Sequence, residues 1–335
     1  MTGAGRSLRL TTADGSGQAV HPDVVYVPDG FSGFKYWMAF TPYPKSDDRL
    51  ENPSLRASQD GLHWVLPPGV PDPIVPPPPS PAHHADCDLV LKNGVMHLFY
   101  MTTNELHRAT TFSVTTSAEG SDWSTPTVVY QGQFGVSPAV VAGDDCWLMW
   151  YVRYDSDKRG SASELLLRRG ADAASWSEDE RVCSVRIEGH VLWHIDVIRV
   201  NEGFEALLTA FPEGAGPWRS RLFHGASSDG IRWSLSQEQP ILRPSVAGWD
   251  SRLIYRSTLL KADDSYRVWY SAASWTSEWG IGFLEGPICQ LLETSASYPP
   301  GPSPSMWRDF LAMLIKSVAG VVRQHAPHRS YGEAG

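Results

Sequence analysis

Two imidazoles, four carboxylates and a guanidinium stand at matching places in a five-residue phrase that this 335-residue chain repeats five times. The phrase reads His21-Pro22-Asp23-Val24-Val25, Asp86-Cys87-Asp88-Leu89-Val90, Ser137-Pro138-Ala139-Val140-Val141, His194-Ile195-Asp196-Val197-Ile198 and Arg256-Ser257-Thr258-Leu259-Leu260. Its first positions are His21, Asp86, Ser137, His194 and Arg256, and its third positions are Asp23, Asp88, Ala139, Asp196 and Thr258. Glu51, in Glu51-Asn52-Pro53-Ser54-Leu55, adds a further carboxyl outside the phrase. One carboxyl that keeps its proton beside a second that is ionised is the equipment for acid–base cleavage of a glycosidic bond. Crowding by like charges raises a carboxyl pKa, which suits Glu51 to the acid and leaves Asp86 as base or nucleophile, with the roles open to exchange. His21 completes the expected catalytic group, while Asp23, Asp88, His194, Asp196 and Arg256 are expected to bind substrate hydroxyls and hold the pair in place. Two histidines among several aspartates also suit a structural metal ion at the axis, but no local ligand spacing such as HExxH is present, so no cofactor is expected.

The elements that must bring these residues together are strands. Positions four and five of each phrase are apolar, and alternation along a strand puts positions one and three on one face. An aromatic second strand follows each phrase, as in Tyr36-Trp37-Met38-Ala39-Phe40 and Tyr266-Arg267-Val268-Trp269-Tyr270. A third strand then ends in an Asp-Gly turn with an aromatic anchor, clearest in Ser58-Gln59-Asp60-Gly61-Leu62-His63-Trp64 and Ser228-Asp229-Gly230-Ile231-Arg232-Trp233. Phrases 51 to 65 residues apart have the wavelength of a propeller blade. The expected fold is therefore all-β, a five-bladed β-propeller over residues 1–297 with blades opening near 21, 86, 137, 194 and 256. The fifth unit lacks the Asp-Gly ending, so Ser7 to Thr11 is expected to supply its outermost strand. Pro67 to Pro81 reads as a stiff extended connection between the first two blades. Residues 298–335 read as a Pro-rich linker and a C-terminal amphipathic helix, with Trp307, Phe310, Leu311, Leu314, Ile315, Val318, Val321 and Val322 at helical spacing. That helix is expected to pack on the propeller, on another chain or on a membrane surface.

Composition narrows the partners. A formal charge of -9 with no basic cluster in the repeats argues against nucleic acid, and fourteen Trp and twelve Tyr offer flat faces that suit sugars as well as a β core. Cys87, Cys146, Cys183 and Cys289 form no CxxC and read as free thiols. No stretch reaches the roughly 18 apolar residues of a membrane span. Met1 to Gly17 has no apolar signal-peptide core, so a cytoplasmic location is expected, with release by a non-classical or phage route as the alternative.

The phrase ring resembles the five-bladed propellers of glycoside hydrolases of families 43, 62 and 32 and the related family 130 phosphorylases, over about residues 7 to 290. The resemblance implies a glycosidase acting on a furanoside or related polysaccharide linkage, with acidic residues at successive blade entries. Within that pattern His21 stands where a family 43 enzyme has its general-base Asp, Asp88 matches the Asp that tunes the acid, and Val136, Ser137 and Pro138 occupy the place of the third-blade Glu. The competing reading is a carbohydrate-binding propeller without catalysis, of the adhesion or phage-tail type.

Overall fold

The computed structural model describes residues 5–104, 109–132, 134–154, 163–288 and 291. Five antiparallel sheets follow one another along the chain. The first holds Ala19–Phe31, Phe34–Pro42 and Ser54–Ser58; the second His83–Lys92, Val95–Asn104, Ala109–Ser117 and Thr127–Gly132. The third holds Gly135–Ala142, Trp147–Tyr154, Ser163–Gly170 and Arg181–Cys183, and the fourth His190–Val200, Gly203–Pro212, Arg221–Ser227 and Ser234–Leu235. Leu253–Ala262, Ser265–Ala273 and Trp279–Gly286 form the fifth, whose outer edge is taken by Arg6–Ser7 from the start of the chain. Arg6 pairs with Phe283 and Ser7 with Gly282, so the ring is closed by a strand from the opposite terminus, as the missing fifth Asp-Gly unit implies. The sheets make an all-β, five-bladed propeller. The amphipathic helix expected within 298–335, and Cys289, lie outside the described residues; Cys87, Cys146 and Cys183 are free thiols.

Apolar side chains fill the spaces between neighbouring blades. Trp37, Leu55, Leu89 and Leu98 pack between the first and second sheets, and Trp150, Leu165, Ile195 and Leu208 between the third and fourth. Equivalent clusters join the remaining neighbours, which is why the inner and second strands of each blade read as densely apolar while the outer strands are largely exposed.

The Asp-Gly turns bolt one blade to the next. Asp60 Oδ1 accepts the Leu62 and His63 N–H groups, each at 2.8 Å, and the Gly61 carbonyl takes the indole N–H of Trp64 from its own blade and of Trp269 from the fifth. Asp229 and Gly230 repeat the arrangement with Trp233 and with Trp150 of the third blade. Gly230 has φ +74°, and a Cβ there would stand 2.7 Å from Trp150. Only glycine meets both demands.

The proline segment departs from the expected spacer. The first sheet has three strands, and the exposed apolar flank is covered by this segment folding back, with Val70 and Val75 buried against Leu55 and Leu89. Ile74 N–H donates to the Pro53 carbonyl at 2.7 Å, and Arg56 pairs with Asp72 at 2.6 Å. Prolines cannot supply the ladder donors of a fourth strand, so the segment covers the flank without joining the sheet.

Candidate functional site

Each phrase lies at the mouth where its inner strand begins. All five inner strands carry a register shift there against their second strands, between Val20 and Asp23, Ala85 and Cys87, Val136 and Ala139, Leu192 and His194, and Ile254 and Ser257. A bulge turns the first-position side chain out of the pleat and toward the axis. His21, Asp86 and Ser137 hold φ of 55°, 41° and 60°, a left-handed backbone that costs ordinary residues about 1–3 kcal/mol each. The conformation is held from blade to blade. Asp86 N–H donates to His21 Nδ1 at 3.2 Å, Ser137 N–H to Asp86 Oδ2 at 2.9 Å, and Ser137 Oγ to the Ile195 carbonyl at 2.8 Å.

What these contacts leave over is the chemistry. His21 Nδ1 lies 3.0 Å from Thr41 Oγ1 and 3.4 Å from Glu51 Oε2, while its Nε2 lies 3.2 Å from Asp86 Oδ1. The imidazole thus stands between the two carboxyls singled out in the sequence. His194 Nδ1 is 3.5 Å from the same Asp86 Oδ1. Five buried atoms here have no hydrogen-bond partner: His21 Nε2, Glu51 Oε2, Asp86 Oδ1 and both ring nitrogens of His194. Buried polar atoms are almost always paired, so such a concentration marks a place shaped for a guest. Burial pushes the His194 ring down to about 3, and burial with the Arg256 charge holds His21 well below the usual range, so both imidazoles are neutral at pH 7. Burial, then the Asp86 and Asp48 charges, push the Glu51 carboxyl well up.

Two residues deeper, the third positions do a different job. Asp23 Oδ2 accepts Leu89 N–H at 2.6 Å, Asp88 Oδ2 accepts Val140 N–H at 3.1 Å, and Asp196 Oδ2 accepts Leu259 N–H at 3.2 Å. In every case the donor belongs to the fourth position of the next blade's phrase. Thr258 closes the circle by donating to Asp23 Oδ1 at 3.0 Å. Arg256, with no exposed surface, donates to the Cys87 carbonyl, to the Pro138 carbonyl at 2.9 Å and to Asp88 Oδ1 at 3.2 Å. Asp23, Asp88, Asp196 and Arg256 therefore hold the blades together around the axis, where the sequence suggested hydroxyl binding. Burial raises the pKa of all three carboxyls, Asp196 to about 7. Their ligand atoms lie within 4.8 Å of one another, the spacing of a cation site, but Arg256 and the backbone donors already serve them.

Of the expected residues, the mouth assembles His21, Glu51, Asp86 and His194. It also includes aromatic groups that motif reading missed. Tyr255 lies 4.8 Å from His21 and 4.6 Å from His194, ring centre to ring centre, and Trp193 lies 4.7 Å from His194. A signal existed: the residue before the phrase is Val20, Ala85 and Val136 in three blades but Trp193 and Tyr255 in the fourth and fifth.

No protein-family model matches the chain. Over 320 residues it is 30% identical to an A type blood N-acetyl-alpha-D-galactosamine deacetylase of Flavonifractor plautii, an alignment covering 78% of this chain and 41% of that protein. The chain thus spans less than half the length of the curated relative it matches. Among solved structures, an N-acetylgalactosamine deacetylase from F. plautii in complex with blood group B trisaccharide superposes with a TM-score of 0.78 at 24% identity, over 89% of this chain and 99% of that one. A thermostable family-43 glycoside hydrolase gives 0.60 at 12% identity, over 86% and 97% of the two chains. A xylan beta-1,4-xylosidase from Bacillus halodurans gives 0.62 at 13%, over 80% and 52%. The fold of this chain is thus the five-bladed propeller also seen in a family-43 glycoside hydrolase and in an N-acetylgalactosamine deacetylase.

Proposed function

We propose that the chain hydrolyses the acetamide of an N-acetylated amino sugar, releasing acetate and a free amine. The observation that carries this reading is the set of five unpartnered buried atoms on His21, Glu51, Asp86 and His194 around one mouth. A glycosidase of the family 43 kind would need an acid from the third blade, and there the Ser137 hydroxyl is engaged with the Ile195 carbonyl. Amide hydrolysis needs less: an oriented water, support for the carbonyl oxygen and a proton for the leaving nitrogen. The relative of known activity is a deacetylase of N-acetylgalactosamine, which favours the same bond.

The residues divide the work as follows. Glu51, kept protonated by burial and by neighbouring carboxylates, gives its proton to the sugar nitrogen as the C–N bond breaks. The attacking water forms the new C–O bond to the acetyl carbon and gives its proton to Asp86; once Glu51 has protonated the leaving nitrogen that proton is returned to Glu51, so both carboxyls end as they began. Asp86 Oδ1, fixed through Ser137 N–H on its other oxygen, accepts from that water and orients it. Thr41 Oγ1 and the Asp86 N–H hold the His21 ring in place. Because His21 Nδ1 accepts the Asp86 N–H, the proton of the neutral ring sits on Nε2, so Asp86 Oδ1 and His194 are the groups here with lone pairs for a divalent first-row ion, which would supply a Lewis acid for the acetyl carbonyl. Those two residues come from different blades, so no local ligand spacing stands in the sequence.

The test is to measure acetate and new reducing ends released from oligosaccharides containing N-acetylgalactosamine or N-acetylglucosamine, with wild type, Asp86→Asn and His194→Ala. Acetate without reducing ends, lost in both variants, is the expected result. Reducing ends without acetate would return the chain to glycosidase chemistry, and binding without either product would make it a recognition module.

A further inference from the structure

Beside the two histidines runs a wall of rings that ends in a charge. Trp193 lies 4.6 Å from Tyr255, Tyr255 5.3 Å from Trp279, and Trp279 5.0 Å from Tyr43, centre to centre. Tyr43, Tyr255 and Trp218 all pack on one small apolar cluster of Val20, Leu253, Ala273 and Trp279 at this mouth. Arg252 stands next to it, immediately before the fifth inner strand, with its guanidinium 3.6 Å over the Trp218 ring.

Arg252 is only 7% exposed, yet among the described residues its side-chain contacts are a hydroxyl and an aromatic ring and no carboxylate pairs with it. Its Nη1 donates to Ser277 Oγ at 2.8 Å. The neighbouring acid, Glu278, is engaged with Lys45 at 3.1 Å. Two other buried arginines, Arg56 and Arg256, each have an aspartate partner, Asp72 and Asp88. Taking a cation out of water without a counter-charge is costly, and a protein that does so at the rim of its site gains when a ligand brings the anion. Burial moves the Arg252 pKa down to about 10, so the group stays charged at neutral pH. A guanidinium presents paired N–H donors that match a carboxylate or sulfate, and the rings alongside suit the apolar face of a pyranose.

We propose that Arg252, braced by Trp218 and Ser277, is a subsite for an anionic substituent, a carboxylate or a sulfate, on a sugar adjoining the N-acetylated one. The substrate class would then be an acidic amino-sugar glycan. This inference rests on the reading of the mouth as an N-deacetylation site.

Calorimetric binding tests it with three tetrasaccharides: unsulfated chondroitin, its carboxyl-reduced neutral form, and a carboxyl-reduced chondroitin 4-sulfate. Wild type is expected to bind at least one charged probe about tenfold or more tighter than the neutral one, the scale of charge-assisted hydrogen bonds; which probe gains separates carboxylate from sulfate. Arg252→Gln should bind all three alike, and Arg252→Lys should keep part of the preference. Equal binding of all three by wild type, or a preference that survives in Arg252→Gln, would overturn the proposal. If Arg252→Gln does not fold, the wild-type comparison and Arg252→Lys still decide it. Acetate release from the same probes separates the two claims: release without charge preference removes the subsite alone, and charge preference without release removes deacetylation alone.

Discussion

Replacing Arg256 by methionine should cost stability before it costs substrate affinity. The guanidinium has no exposed surface and ties the second and third blades together through the Cys87 and Pro138 carbonyls and Asp88 Oδ1. Methionine fills most of the stem volume but leaves Asp88 buried without its partner, and breaking a buried ion pair from one side costs about 3–5 kcal/mol. Two carbonyls also lose a donor, at about 1–3 kcal/mol each if water does not enter. A loss of about 3–5 kcal/mol is expected if water reaches the carbonyls, and more if it does not, a large share of the roughly 5–15 kcal/mol that holds a typical domain. Urea unfolding followed by tryptophan fluorescence measures it, with the slope against denaturant checking that the same surface unfolds. Adding Asp88→Asn to Arg256→Met removes the stranded charge and should return about 1–2 kcal/mol. A loss under about 1 kcal/mol, with glycan binding weakened instead, would refute the assignment of Arg256 to the blade ring and restore it to the substrate.

Three further outcomes follow from the same contacts. Glu51→Gln removes the proton donor while keeping its shape, and the rate of acetate release should fall about 10²–10⁴-fold with an unchanged unfolding midpoint; an active Glu51→Gln protein would exclude Glu51 from proton transfer. Gly230→Ala puts a side chain into a left-handed turn and against Trp150, so urea unfolding should show a loss of about 2–4 kcal/mol, and Gly61→Ala should behave alike against Trp269. His224, between Ser236 Oγ at 2.6 Å and Glu205 Oε2 at 3.3 Å, is held neutral first by burial, its pKa below the ordinary value of 6.5. The unfolded chain therefore binds a proton that the fold refuses as pH drops below about 6.5, and stability is lost in that direction; His224→Gln should flatten the pH dependence of urea stability between pH 7 and 5, and an unchanged slope would contradict this.

Much of the fold was legible because a propeller repeats its local rules. The phrase starts found all five inner strands, the Asp-Gly turns found the ends of third strands, and the missing fifth turn pointed to a closing strand from the start of the chain, expected around Ser7 to Thr11 and observed at Arg6–Ser7. The proline segment was misread because composition reports stiffness and says nothing of the uncovered flank that the segment packs on. At the candidate site, His21, Asp86, His194 and Glu51 come together because ionisable residues at strand entries converge by geometry. The third positions misled for a physical reason: an acidic side chain facing the axis looks the same in sequence whether it meets a sugar or the next blade's N–H. Asp23, Asp88 and Asp196 meet the N–H groups of Leu89, Val140 and Leu259, which only the bulged register of neighbouring blades reveals. Arg252 was invisible because what distinguishes it is a partner it lacks.

The central claim is that the mouth of the propeller cuts an amide and leaves the glycan chain whole. A mass spectrum of an N-acetylgalactosamine-containing tetrasaccharide after incubation with the protein tests this directly. The expected product is the intact tetrasaccharide lighter by one acetyl group, absent when Asp86→Asn replaces wild type. Shorter oligosaccharides that keep every acetyl group would contradict it.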